Sequence, residues 1–165
     1  MKKLILMLML LAPIATFAQK FGYVNTQTIM QNLPEIKKVE GELQALAMQY
    51  ENDLKAMQEE FQKQSEAYDK AQSTMNETAR EQKEKELQAL YQKIQEQYQA
   101  NQQALQQKQQ ELMAPIIAKV RQAIDTVGKN GNFVFIFEEG TAIYASATLT
   151  EDVTKLVQTE ISRIK

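Results

Sequence analysis

Apolar residues recur at alternating steps of three and four between residues 36 and 75, in a segment composed almost entirely of helix-forming residues. This spacing predicts a helix with a narrow coiled-coil seam. An extra step of four between Tyr50 and Leu54 is a stutter, which locally relaxes a left-handed supercoil. The pattern pauses at "STMNETARE" and resumes with Leu87, Leu90, Ile94, Tyr98, Leu105 and Leu112.

The pause is rich in helix-capping residues, which predicts a turn near 73–78 in place of one uninterrupted helix. In an antiparallel hairpin, facing residues have position numbers with a constant sum. A sum of 151 or 152 pairs large residues with large residues, for example Leu46 with Leu105. We therefore predict an α-helical hairpin over 35–114 whose seam contains Val39, Leu46, Leu54, Met57, Phe61, Tyr91, Ile94, Tyr98, Leu105 and Leu112.

The residues on either side of the hairpin, 19–34 and 115–165, predict a small β-rich body. "FGYV" favours a short strand, after which Asn25 or Thr26 could cap a short helix through Gln31. Pro115 is expected to break or kink the second arm, because it lacks an N–H group and its ring crowds the preceding turn. The helix beyond it is expected to stop at Asn130-Gly131.

The C-terminal part of the body is predicted to contain a strand, "NFVFIF", and a second strand returning over "TAIYAS". A closing helix follows, with Thr148 or Thr150 as its cap. Its apolar face is expected to contain Val153, Leu156, Val157, Ile161 and Ile164.

The strand "NFVFIF" is apolar on both faces and needs cover on both, which so small a body supplies poorly. We infer that strands of several subunits share one sheet or barrel; the alternative is a monomer whose arms fold back over the sheet. The predicted fold class is α+β, mainly α, with a long antiparallel coiled-coil hairpin projecting from a β-rich oligomerisation body. The residues assigned to that body are Phe21, Tyr23, Phe133, Phe135, Ile136, Phe137, Ile143 and Tyr144.

Residues 1–18 have the pattern of a secretory signal peptide, with cleavage expected after Ala18. Two lysines precede an apolar run from Leu4 to Leu11, and small residues follow. The alternative is a membrane anchor, but the run is shorter than the roughly 20 residues that a membrane-spanning helix needs.

Composition removes several classes of function. The 165-residue chain has 19 basic and 21 acidic residues, so loss of Lys2 and Lys3 leaves 17 against 21, a net charge of −4. This balance argues against binding to nucleic acid. The chain has neither cysteine nor histidine, which removes thiolate nucleophiles, histidine bases and the common zinc ligands. We predict no catalytic residue, no cofactor and no metal, and therefore not an enzyme.

The order of these segments resembles the Skp/OmpH family of periplasmic chaperones. The segments that carry the resemblance are "FGYVNTQTIMQNLPEIKK", the Gln/Glu/Lys-rich hairpin, "PIIAKVRQAIDTVGKNGNFVFIF", "AIYAS" and "LTEDVTKLV". The resemblance implies a homotrimer with a β-rich body and three helical arms around a cavity. It further implies an ATP-independent holdase that binds unfolded outer-membrane β-barrel proteins in the periplasm and prevents their aggregation.

The charge of the hairpin departs from this family, whose well-known members are strongly basic. Residues 35–114 contain 10 basic and 15 acidic residues. A contact with lipopolysaccharide or anionic lipid is therefore not carried over from the family.

A holdase needs many weak contacts, which methionine and tyrosine can supply. The candidates for client contact are Met48, Tyr50, Tyr68 and Met75. The alternative function is a structural or adaptor coiled coil of the cell envelope.

Overall fold

A computed structural model describes residues 19–164 of the chain. The predicted signal peptide, residues 1–18, lies outside the described residues. The strands are β1 (Lys20–Val24), β2 (Phe133–Glu138) and β3 (Thr150–Asp152), and the α-helices are α1 (Thr26–Asn32), α2 (Pro34–Ala71), α3 (Glu77–Asn130) and α4 (Thr154–Ile161). Helices dominate and the sheet is small, which confirms the predicted α+β, mainly α class.

The described residues divide into two compact units. The arm unit comprises residues 30–119. The body unit joins the described residues before 30 to those from 120 onward.

The arm unit contains two long helices separated by a tight turn. Helix α2 has 38 residues, which corresponds to about 57 Å at 1.5 Å per residue. It is followed by a 3-10 turn over Gln72–Thr74 and an extended residue, Met75. Asn76 then starts α3: its side-chain oxygen accepts a hydrogen bond from the backbone N–H of Ala79 at 2.8 Å. This cap satisfies one of the free N–H groups of the first helical turn.

Three pairs of side chains show that α2 and α3 run antiparallel in the arm unit. The rings of Phe61 and Tyr91 lie 6.0 Å apart. The hydroxyl of Tyr68 donates to Glu84, and Lys119 donates to Glu35 at 2.9 Å. In the first two pairs the position numbers sum to 152.

The body unit contains a parallel sheet with the strand order β2-β1-β3. Phe21 of β1 faces Phe135 on one side and Thr150 on the other. Gly22, next along β1, has little space beside it. A Cβ atom at this position would lie 3.1 Å from the ring of Phe133 and 3.3 Å from the side chain of Ile136.

The predicted return strand over "TAIYAS" is wrong. Residues 141–146 form no strand, and β2 does not continue into a hairpin. The third place in the sheet belongs to Thr150–Asp152, which pairs in parallel with β1. Because both neighbours of β1 run parallel to it, the chain between β2 and β3 must cross from one edge of the sheet to the other.

The closing helix begins later than predicted, so neither Thr148 nor Thr150 caps it. Thr150 belongs to β3 instead. The helix starts at Thr154, whose N–H donates to the carboxylate of Asp152 at 2.9 Å. Its buried face contains Val157 and Ile161, preceded by the fully buried Val153, whereas Leu156 is exposed.

The core of the body unit is formed by apolar residues that sequence periodicity places on one face of each element. They are Val24, Ile29, Val120, Ala123, Val127, Val153, Val157 and Ile161, all of them buried. The side-chain oxygen of Asn25 accepts a hydrogen bond from the N–H of Thr28 at 2.6 Å and so caps α1. Of the two caps predicted for this helix, Asn25 or Thr26, Asn25 is therefore confirmed.

Helix α3 ends at Asn130, as predicted, and the left-handed residue after it is Asn132, with φ of 54°. Pro115 does not break this helix, because α3 continues through it. A proline inside a helix removes one hydrogen bond. The burial of its neighbour Ile116 offsets part of that cost.

Candidate functional site

The arm unit presents tyrosine and methionine at its surface, as a surface for transient contacts requires. Met48 is 57 % exposed, while Tyr50, Tyr68 and Met75 are half-buried. These are the four predicted client contacts, and all four retain accessible surface. Tyr68 is held by its hydrogen bond to Glu84, which raises the pKa of the Tyr68 phenol above its ordinary value.

An open groove of about 580 Å³ lies between α2 and α3 in the arm unit. One wall comes from α2 and the other from α3, and the two walls approach each other in the register described above. The apolar residues that line it are Ala47, Tyr50, Leu54, Tyr98 and Leu105. The polar lining includes Gln58 and Gln102 together with one acidic and one basic residue, Glu51 and Lys55, so the groove has no strong preference for either charge.

Asn101 also lines this groove, and it is a buried polar residue with only 4 % of its surface exposed. Its side-chain oxygen accepts a hydrogen bond from the Nε2 of Gln97 at 2.8 Å. Within residues 19–164, its buried Nδ2 has no hydrogen-bond partner. Asn101 is not among the residues that the sequence predicts to be functional. The signal was available, because position 101 lies where the three-four spacing between Tyr98 and Leu105 expects an apolar residue.

The predicted seam residues differ in how deeply they are covered. Val39 and Ile94 are buried, whereas Tyr91 and Tyr98 remain about half exposed. The remaining residues of the set are half-buried: Leu46, Leu54, Met57, Phe61, Leu105 and Leu112. Such partial cover is expected of two helices that share a narrow apolar stripe.

The body unit exposes a row of phenylalanine rings. Phe21 stacks on Phe135 with centroids 6.3 Å apart, and Phe135 stacks on Phe137 at 5.7 Å. Phe135 is 57 % exposed and Phe137 is also exposed. A contiguous exposed apolar surface of this kind is typical of a protein interface.

The other residues assigned to the oligomerisation body fall into two groups. Tyr23, Phe133 and Ile136 are half-buried within the sheet. Ile143 and Tyr144 lie outside the sheet, on the connection between β2 and β3, and are almost fully exposed.

Charged residues of the arm unit pair mostly with neighbours on their own helix. The ion pairs Lys38–Glu42, Lys55–Glu59, Lys83–Glu86 and Lys108–Glu111 span three or four positions and lie at the surface. Pairs of this kind contribute little to stability in water. Lys119 and Glu35 instead join two helices, and the hydrogen bond from Lys119 lowers the pKa of Glu35.

Two other kinds of feature are absent from the described residues. Within 19–164, no group of three or more acidic, cysteine or histidine side chains is arranged to hold a metal ion. In the same residues, no helix combines the length and the apolar character needed to cross a membrane.

The fold and its surfaces define a class of protein: a long helical hairpin accompanied by a small parallel sheet, with exposed aromatic residues on both units. Comparison with known protein families shows which family within that class this chain matches. The family model described as outer membrane protein (OmpH-like) matches residues 20–161. The chain therefore belongs to the OmpH-like family, and the resemblance drawn from its sequence is confirmed.

A solved structure shares this fold. It is an OmpH-like protein of Caulobacter crescentus, described as a candidate outer membrane chaperone. The two chains are 18 % identical and superpose with a TM-score of 0.75, over 89 % of this chain and 86 % of the other. A comparison with curated proteins finds no match.

Proposed function

We propose that this protein is an ATP-independent holdase chaperone that binds unfolded outer-membrane β-barrel proteins and prevents their aggregation. Family membership supports a chaperone role. The observation that carries the finer proposal is the surface of the arm unit, where exposed Met48 and half-exposed Tyr98 lie among glutamine and charged residues. Such a surface makes weak apolar contacts while it stays hydrated.

The mechanism follows from the number of these contacts. Each contributes about 1 kcal/mol, and several acting on one client raise the overall affinity through effective concentration. Because methionine and tyrosine adapt to varied neighbours, the same surface accepts clients of different sequence. Release requires no nucleotide, since the client's own folding into the membrane removes it from the chaperone.

The chaperone is proposed to act as a homotrimer. Residues 19–34 and 115–165 form its oligomerisation body, and 35–114 forms one arm of each subunit. Two observations support an oligomer: the exposed stack of Phe135 on Phe137, and the position of β2 at an edge of the sheet, where its outer backbone groups can pair with another chain. The number three comes from the family resemblance.

The protein is proposed to work in the periplasm after its signal peptide is removed behind Ala18. Family membership and the sequence of residues 1–18 support this location. No catalytic activity, cofactor or metal is part of the proposal, and neither is binding to nucleic acid. Contact with anionic lipid is not proposed, because the hairpin has more acidic than basic residues.

The proposal is tested by diluting several unrelated β-barrel proteins from urea into buffer and following light scattering. With the mature chain present and no nucleotide, scattering should be suppressed for all of them at about one trimer per client. Mass measurement in solution should give three chains per particle. Suppression for none of them, together with capture of one fixed envelope protein, would favour the adaptor alternative instead.

A further inference from the structure

We propose that residues 141–146, on the connection between β2 and β3, add as a strand to the free edge of β2 in a second copy of this chain. This inference rests on the oligomer that is part of the proposed function. It names the segment and the sheet edge that join one subunit to the next.

The segment 141–146, "TAIYAS", has the composition of a strand and the exposure of an interface without its partner. It forms no strand with any other part of residues 19–164. Ile143 is fully exposed and Tyr144 is 83 % exposed. Isoleucine and tyrosine are both enriched in strands, where their side chains pack on a half-buried surface. The segment is therefore suited to a sheet that its own chain does not provide.

Strand β2 offers an edge that matches this segment in length and polarity. It has six residues and lies at one edge of the sheet. Its first five residues are uncharged, and Val134, Phe135 and Phe137 are all exposed. A long, apolar edge strand with unpaired backbone groups readily accepts another strand. The segment 141–146 is likewise uncharged, so the pairing buries no charge from either partner except at Glu138.

The opposite edge of the sheet is much less suitable. It is formed by β3, which has only three residues. Two of them, Glu151 and Asp152, are acidic and exposed. Short strands and charged side chains protect a sheet edge against the addition of another chain. The choice between the two edges therefore falls on β2.

Residues 141–146 cannot pair with β2 of their own chain while β3 stays in the sheet. A tight hairpin would place Ser146 beside Phe133, on the outer side of β2, three strand spacings or about 14 Å from β3. The four residues from Ser146 to Thr150 span at most about 14 Å when fully extended, and the chain would also have to rise over two strands. In the structure the N–H of Thr150 donates to the carbonyl of Ser146 at 3.0 Å, which holds the end of the segment at β3. A second copy is free of this constraint.

The test replaces Tyr144 by the photoreactive residue p-benzoylphenylalanine in the full mature chain. This chain is mixed in urea with isotope-labelled parent chain, refolded and irradiated, so that mass spectrometry separates crosslinks between copies from those within one chain. Crosslinks should join position 144 of one copy to residues 133–138 of the other. The same probe at Leu149, an exposed position outside the segment, is the control and should not reach β2 of a second copy.

A substitution in the segment gives a second, independent measurement. Ile143→Asp should weaken self-association at least about tenfold, because the joined sheet would lose a buried side chain and gain a charge. Leu149→Asp adds the same charge outside the segment and should self-associate like the parent chain. Sedimentation equilibrium over a dilution series measures both, and circular dichroism checks that each variant is folded.

The outcomes separate strand addition from the oligomer itself. A parent chain that is oligomeric, with crosslinks only within one chain, to another part of the second copy or to an added unfolded client, would overturn strand addition and leave the oligomer standing. Self-association of folded Ile143→Asp equal to that of the parent would do the same. A monomeric parent chain would overturn both. If Ile143→Asp does not fold, the crosslinks alone decide.

Discussion

The ring of Phe61 on α2 lies against the ring of Tyr91 on α3, with centroids 6.0 Å apart and planes inclined at 49°. Tilted aromatic pairs at this separation are favourable beyond the area that they bury. Neither ring is fully covered, and Tyr91 keeps about half of its surface exposed. The pair therefore holds the two arm helices in one register while it leaves aromatic surface accessible to a third partner.

The register predicts a specific disulfide. Leu46 and Leu105 have position numbers that sum to 151, close to the 152 of Phe61 and Tyr91. A Leu46→Cys, Leu105→Cys double variant should close an intrachain disulfide on oxidation. Non-reducing electrophoresis and mass spectrometry of a proteolytic digest would detect it, and the parent chain adds no background because it has no cysteine.

The matched control for this disulfide is Leu46→Cys with Leu112→Cys, two turns of helix further along α3. It should not close within one chain, because seven residues correspond to about 10 Å of helix. Efficient closure of the control, or failure of the Leu46–Leu105 pair, would contradict the register.

The core of the body unit should be sensitive to loss of volume. Ile29 is fully buried, so Ile29→Ala should destabilise the protein by about 2–5 kcal/mol through lost apolar burial and a residual cavity. Leu156→Ala, at an exposed position of the same unit, should change stability by no more than about 0.5 kcal/mol. Urea unfolding would measure both. Equal effects of the two substitutions would show that the core is misassigned.

The contact between Glu35 and Lys119 should make the arm unit less stable in acid. The hydrogen bond from Lys119 lowers the pKa of Glu35, and the backbone N–H of Glu35 acts in the same direction. The stabilisation is thus present above the ordinary glutamate pKa of about 4.3 and is lost as pH falls through the lowered value. Both side chains retain exposure to solvent, so the contribution stays within about 1 kcal/mol.

Removing the carboxylate of Glu35 should make the stability of the protein depend less on pH. The stability of Glu35→Gln should lie below that of the parent chain at pH 7 and converge with it between about pH 5 and pH 3. Glu40→Gln, at an exposed position of the same helix, is the control and should follow the parent curve. A constant difference at all pH values would exclude the ion pair as its cause.

The predicted client contacts can be removed together. Replacing Met48, Tyr50 and Tyr68 by serine should weaken protection of an unfolded β-barrel protein and leave helicity and subunit number unchanged. Leu149→Ser, at an exposed position of the body unit, is the control. Undiminished protection by the triple variant would show that clients bind elsewhere.

Sequence periodicity was sufficient to predict the fold class, because helices that share a narrow seam must repeat apolar residues at steps of three and four. The sheet was harder to predict. The segment "TAIYAS" has strand-forming residues but forms no strand, whereas "TED", which has few, occupies the edge beside β1. Pairing in a sheet depends on where the chain returns, and local composition does not specify that.

Single residues in the arm could be predicted only where they differ from the pattern around them. Aromatic residues and methionines stand out in a glutamine-rich segment and were selected for that reason. Asn101 is one polar residue among many. Its place in the three-four spacing between Tyr98 and Leu105 indicates burial, whereas the unpaired state of its amide is revealed only by three-dimensional packing.

The claim that this protein is a holdase is tested most directly with an unfolded β-barrel protein that contains tryptophan. This client is diluted from urea into a solution of the mature chain without nucleotide. Size-exclusion chromatography with mass and fluorescence detection follows the client, because this chain itself contains no tryptophan. The holdase account predicts a soluble complex in which one unfolded client elutes with the oligomer. Client that precipitates, with none eluting alongside the protein, would contradict it.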